Sequence, residues 1–261
     1  MNILRQLSPK LHGPRSHVSS DEKAWVEQRM LWLKDQFGSE PIRRAPLVPT
    51  SELLPGKWDS SYAAGADLFN RLCKFMLLEP ADMNLHFYSS AETHEKDSRY
   101  AGEHQSSGPA GLFSHRENQQ KPAIALAEEG LLQPAQLAAT ILHELAHVHL
   151  LGAGRIKRDE QDCEPLTDLL TVYFGAGILT ANSAFQFSQW QSGTRQGWHA
   201  SAQGYLSEPV YGYALACFSW LRGEREPKWQ KHLRQNIEYY FSDAIYFLAT
   251  TSDTTLPFNG A

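Results

Sequence analysis

The chain has 261 residues, 42% of them apolar and 20% charged, with a formal net charge of −5 and a pI near 6.1. This is the balance of a globular chain long enough for a sizeable core. It excludes a disordered polyelectrolyte, and with no concentrated basic patch nucleic acid is not an expected partner. "MNILRQLSPKLHGPRSH" has no apolar core of signal-peptide length, and no run approaches the ~18 apolar residues of a membrane span. The expected compartment is therefore the cytoplasm, with no membrane partner. Cys73, Cys163 and Cys217 form no CxxC pair, which argues against a disulfide framework or a thiolate zinc site.

In chain order, residues 1–18 read as a polar arm. Ser19 or Ser20 can cap a helix over "DEKAWVEQRMLWLKDQF", which Gly38 ends. "SEPIRRAPLVPTSELLPGKWD" carries too many prolines for regular structure. A second helix fits 60–78, with Ala64, Leu68, Leu72 and Met76 spaced by four. "MNLHFYSS" (83–90), "AGLFSH" (110–115) and "AIALAEE" (123–129) read as strands around a polar loop at 91–109. Residues 133–151 form a strongly apolar helix, with Pro134 in its first turn and Gly152 and Gly154 at its end. After a charged loop, "PLTDLLTVYFGAGIL" reads as one helix starting at Pro165. The aromatic, polar segment from "SAFQFSQW" to "QGY" reads as a loop, and two helices follow, over about 208–222 and 227–249. The pattern predicts an α+β fold: one domain over 1–261 with a short mixed sheet flanked by N- and C-terminal helices. It divides into an arm, helix and linker (1–58), a core (59–180) and a groove loop with helices (181–261).

The apolar helix contains "ATILHELAHVHLL", an HExxH run at His143–His147. Four residues bring a helical side chain back nearly overhead, so His143 and His147 can share one ion. Glu144, one step round, can reach a water beside that ion without binding it. His149 faces elsewhere. With 11 histidines in the chain, an accidental HExxH arises on the order of a few per cent of the time. Two observations add weight. The three polar groups lie in an otherwise apolar helix, where they need partners. Downstream, "DCEPLTDLL" places Glu164 and Asp168 four apart on one helical face. Glu164 can complete a His-His-Glu zinc site with one open position, and Asp168 can accept a ligand ring N–H. Asp159, Glu160 and Asp162 are rival ligands in the loop. Zinc suits this set best, although cobalt, manganese or iron bind similar ones.

HELAH followed by E-x-x-x-D resembles the gluzincin branch of zinc metallopeptidases, over roughly residues 110–178. The resemblance implies a zincin-like fold with His143, His147 and Glu164 as zinc ligands, Glu144 as general base and Asp168 orienting a histidine. It implies a hydrolase cleaving amide bonds of a peptide or protein substrate, with an edge strand before the motif helix where the substrate pairs. "KPAIALAEE" sits where that strand is expected. Pro165 directly after the third ligand places Glu164 at the cap position of its helix. Activation of a water by zinc and Glu144 also calls for a donor to the oxyanion. His199 and Tyr205 are the first candidates, ahead of Tyr211, Tyr213 and Arg195. The alternative is a metal-binding protein on the same scaffold that senses or binds a partner with little turnover.

Overall fold

The computed structural model describes residues 13–89, 110–114, 121–189 and 206–259, with the backbone alone over 185–189. The described residues fall into two compact units. One draws on Met1–Val48, Glu164–Phe185 and Thr194–Ala261, and the other on Pro49–Cys163 and Gln186–Gly193.

The Pro49–Cys163 unit holds the sheet. Helix α3 (Tyr62–Phe75) starts where the Ser61 hydroxyl accepts the Ala64 N–H at 3.1 Å, and it buries Leu68 and Leu72. Strands β1 (Asn84–Tyr88), β2 (Gly111–Ser114) and β3 (Ala123–Ala127) lie in the order β1-β3-β2. β1 runs parallel to β3, and β2 antiparallel, with Leu112 opposite Ala125. The sheet is thus mixed, as expected, but one expectation fails. "AIALA" is the central strand, paired on both sides, and so cannot be the edge. Ile124 and Leu126 are fully buried, which fits a strand covered by neighbours better than one waiting for a partner. Among the described residues β2 is the antiparallel edge strand. Helix α4 (Pro134–His147) packs on α3, β2 and β3 and contributes Leu137, Ile141, Leu142 and Leu145 to the core.

The other unit is helical. α1 (Ser20–Phe37) opens with a capping box: Ser19 Oγ accepts the Glu22 N–H at 3.2 Å, and Glu22 Oε2 accepts the Ser19 N–H at 2.8 Å. The proline-rich stretch carries one short turn, α2 (Glu40–Arg43), with Pro41 in its first positions. The helix expected from Pro165 is two helices, α5 (Cys163–Tyr173) and α6 (Gly177–Gln189). Gly175 separates them at φ 85°, with its N–H on Val172 O (2.9 Å) and the Ala176 N–H on Thr171 O (2.8 Å). That left-handed glycine closes α5 with a Schellman motif, which an apolar run in sequence conceals. Residues 183–189 continue α6 rather than forming the loop expected there. α7 (Glu208–Leu221) is buried from Val210 through Leu221 and packs along α8 (Gln235–Thr251). A separate 3₁₀ turn at Lys228–His232 precedes α8. No helix among the described residues is long and apolar enough to cross a membrane.

Candidate metal centre

α4 begins with Pro134, whose missing N–H costs nothing in a first turn. From Leu137 onward every residue is buried, including His143, Glu144 and His147 at 7%, 5% and 5% exposure. The two imidazoles stand edge to face, with centroids 4.8 Å apart. Directly after His147 the coil widens into a π-helical turn, Val148–Gly152. This re-aims His149: its Nε2–H donates to Met76 O at 2.7 Å, and Arg155 Nη1 donates to the carbonyl of His149 at 2.7 Å. Burial lowers the His149 pKa below the ordinary histidine value, which suits a neutral ring that serves as a tether.

Glu164 lies in the first turn of α5 and is half-buried. The helix starts at Cys163, so Glu164 sits just inside it rather than at the cap. One carboxylate oxygen of Glu164 and one ring nitrogen each of His143 and His147 lie within 4.8 Å of one another. This donor set can hold a metal ion. Glu160, one of the rivals, uses Oε1 to accept the Lys157 N–H at 2.9 Å. Asp168, one turn beyond Glu164, is 2% exposed, and its Oδ2 accepts the Leu206 N–H at 3.0 Å.

Strand β2 forms the wall beside Glu144. A Cβ at Gly111 would lie 2.8 Å from Glu144 Oε1 and 2.7 Å from Thr140 Cγ2, so only glycine lets the strand backbone come this close. Phe113, two residues along, stacks on His147 with centroids 6.1 Å apart and planes 18° apart. The Ala127 N–H bonds to Ala110 O at 3.0 Å. Given the register, the backbone polar groups of Gly111 and Phe113 therefore point away from β3. Arg158 Nη2 donates to the Phe113 carbonyl at 3.1 Å. At the end of β1, Tyr88 has its pKa pushed up to about 12, chiefly by burial and then by the charges of Glu144 and Glu129. Sequence reasoning missed Gly111, Phe113, Thr140 and Tyr88. Thr140 lies one turn before Glu144 on α4 itself, so helical spacing could have found it. Only the strand order brings the other three to the motif helix, and no spacing rule encodes it.

Of the oxyanion candidates, His199, Tyr205 and Arg195 lie outside the described residues. Tyr211 and Tyr213 are packing residues, 2% and 0% exposed, and the Tyr213 hydroxyl donates to Glu27 at 2.6 Å. No protein-family model, curated protein or solved structure matches the chain.

Proposed function

We propose that this protein is a zinc-dependent hydrolase, most simply a metallopeptidase cleaving amide bonds. The observation that carries this reading is the convergence of two imidazole nitrogens and one carboxylate oxygen within 4.8 Å, with the Glu144 carboxylate on the same buried helix. Two histidines and an acid are the protein ligands of a catalytic zinc site that keeps a fourth position open. Zinc held there supplies a Lewis acid beside the reacting carbonyl. The chain's own residues do the rest. His143, His147 and Glu164 hold the ion; Glu144 takes a proton from the attacking water and passes it to the leaving nitrogen. Gly111 keeps the strand backbone against that carboxylate, and the edge of β2 away from β3 offers the main-chain groups of Gly111 to an extended peptide. The zincin-like fold, the orienting role of Asp168 and donation by His199 or Tyr205 belong to this same proposal.

The low exposure of both histidines and Glu144 favours a second reading, a metal-binding protein with a sensing or partner-binding role and little turnover. Metal analysis of the purified full chain, with hydrolysis of an unfolded protein measured with and without chelator, separates the two. Near-stoichiometric zinc with chelator-sensitive cleavage supports the hydrolase. Near-stoichiometric zinc without cleavage supports the second reading. Less than about a tenth of an equivalent of metal sinks both.

A further inference from the structure

We propose a second binding site, independent of the metal centre: a cleft between α1, α2 and the end of α7 that takes a small molecule bearing a phosphate group. The cleft has a volume of about 470 Å³, and Lys34, Ser39, Arg43, Arg222, Phe258 and Asn259 are among the residues lining it. This is within the ~300–1,000 Å³ range of small-molecule sites and larger than a bare inorganic anion needs.

The charge of the lining sets the class of ligand. Arg222 is committed to the framework. Its Nε and Nη2 donate to Glu224 Oε1 at 3.0 and 2.7 Å, and its Nη1 donates to the carbonyls of Ile42 and Arg44. That leaves Arg222 neutralised and rigid, one fixed wall of the cleft. Lys34 and Arg43 differ: among the described residues neither has a carboxylate at ion-pair distance. Two uncompensated cations on one concave surface match a charge of about −2, which a phosphate monoester carries near neutral pH. A guanidinium presents a planar fork to phosphate oxygens and an ammonium a compact charge.

Ser39 adds a donor. It occupies the N-cap position of α2 but makes no side-chain capping bond. Asn259 fixes the opposite wall by donating from Nδ2 to Leu221 O at 2.7 Å. Phe258 packs against Trp220, with centroids 4.5 Å apart, and under the Arg225 guanidinium at 5.1 Å. It is a fixed apolar surface beside the cations, so the ligand is an organic phosphate with a flat or apolar body, and not phosphate alone. Helix C-termini explain a basic residue near each helix end. They do not explain a cleft of this size between the two.

The test is calorimetric titration of phenyl phosphate into the full metal-loaded chain, with benzoate as the carboxylate control. Saturable binding of one equivalent is expected, weakened about tenfold or more in the Lys34→Gln/Arg43→Gln double variant. Both changes lie at the surface, and metal content and melting temperature are expected to stay at the parent's values. No saturable binding up to about 10 mM, or the same affinity in the double variant, overturns the site. Benzoate binding as tightly as phenyl phosphate overturns the phosphate assignment.

Discussion

Two buried glutamates invite comparison: one is enclosed by hydrogen-bond donors, and the other shares its helix with two candidate metal ligands. Glu27 is 1% exposed and faces donors only: the Tyr213 hydroxyl at 2.6 Å, the Thr255 N–H and Oγ1 at 2.8 Å each, and Lys23 Nζ at 3.2 Å. Burial pushes its pKa up, but these donors outweigh burial and hold it below the ordinary carboxylate range. Glu144, 5% exposed, lies instead on the helix that carries His143 and His147, whose ring nitrogens converge with a Glu164 carboxylate oxygen. The first acid is matched within the protein and ties elements together. The second shares its helix with two of the three donors that could hold a metal ion.

The sharpest break of this contrast is His147→Ala. It is expected to drop bound zinc from near one equivalent to below about a tenth and to abolish hydrolysis, measured by metal analysis and cleavage of an unfolded substrate. Next comes Glu144→Gln, which keeps the metal and lowers turnover about 10²–10⁴-fold; full activity in this variant would refute Glu144 as base. In the matched network the loss is one of stability. Glu27→Ala strands the Tyr213 hydroxyl and is expected to cost about 2–4 kcal/mol in denaturant unfolding with metal content unchanged.

The pH dependence of Glu27 has a definite sign. Its folded pKa lies below its unfolded value, so its contribution is full above the ordinary glutamate value of 4.5 and is lost as pH falls from there through the folded pKa. Glu27→Gln is expected to flatten that acid limb of the stability curve. Smaller again is Gly111→Ala, whose methyl would meet Glu144 and Thr140. About 1–3 kcal/mol of stability should be lost, with activity falling while zinc is retained. Smallest in stability is Asp168→Asn, which keeps an acceptor for Leu206 and should change unfolding by about 1 kcal/mol or less. If Asp168 orients a ligand histidine, zinc affinity falls about 10–100-fold all the same. Unchanged affinity would leave it the role of holding Leu206.

What the sequence made legible follows from the range of the interaction involved. Ser19, Glu22 and Gly38 fix the ends of α1 through contacts a few residues long, and the expected helix matches the observed one. The HExxH spacing is likewise readable, because helical periodicity alone puts two histidines on one face, and Glu164 is readable as the acid at the start of the next helix. Strand order was not. Alternation marks β3 as a strand but says nothing of which strands flank it, so the edge position that the family resemblance implies for it does not hold. Gly175 shows a second limit, since an apolar run conceals a left-handed turn that only its hydrogen bonds reveal. Nothing local, finally, marks Gly111 as the residue against Glu144.

The Glu27 network has a consequence for how the chain is made. Glu27 and Thr255 are separated by 228 residues, a span the ribosome takes roughly 10–50 s to synthesise at the usual rates. During that interval α1 exists without the groups that match its buried acid, and its unit has to wait. The sheet-bearing unit comes largely from the single stretch Pro49–Cys163, so it can close while the remaining helices are still being translated. Folding is thus expected to begin in the Pro49–Cys163 stretch and to finish when Thr255 reaches Glu27.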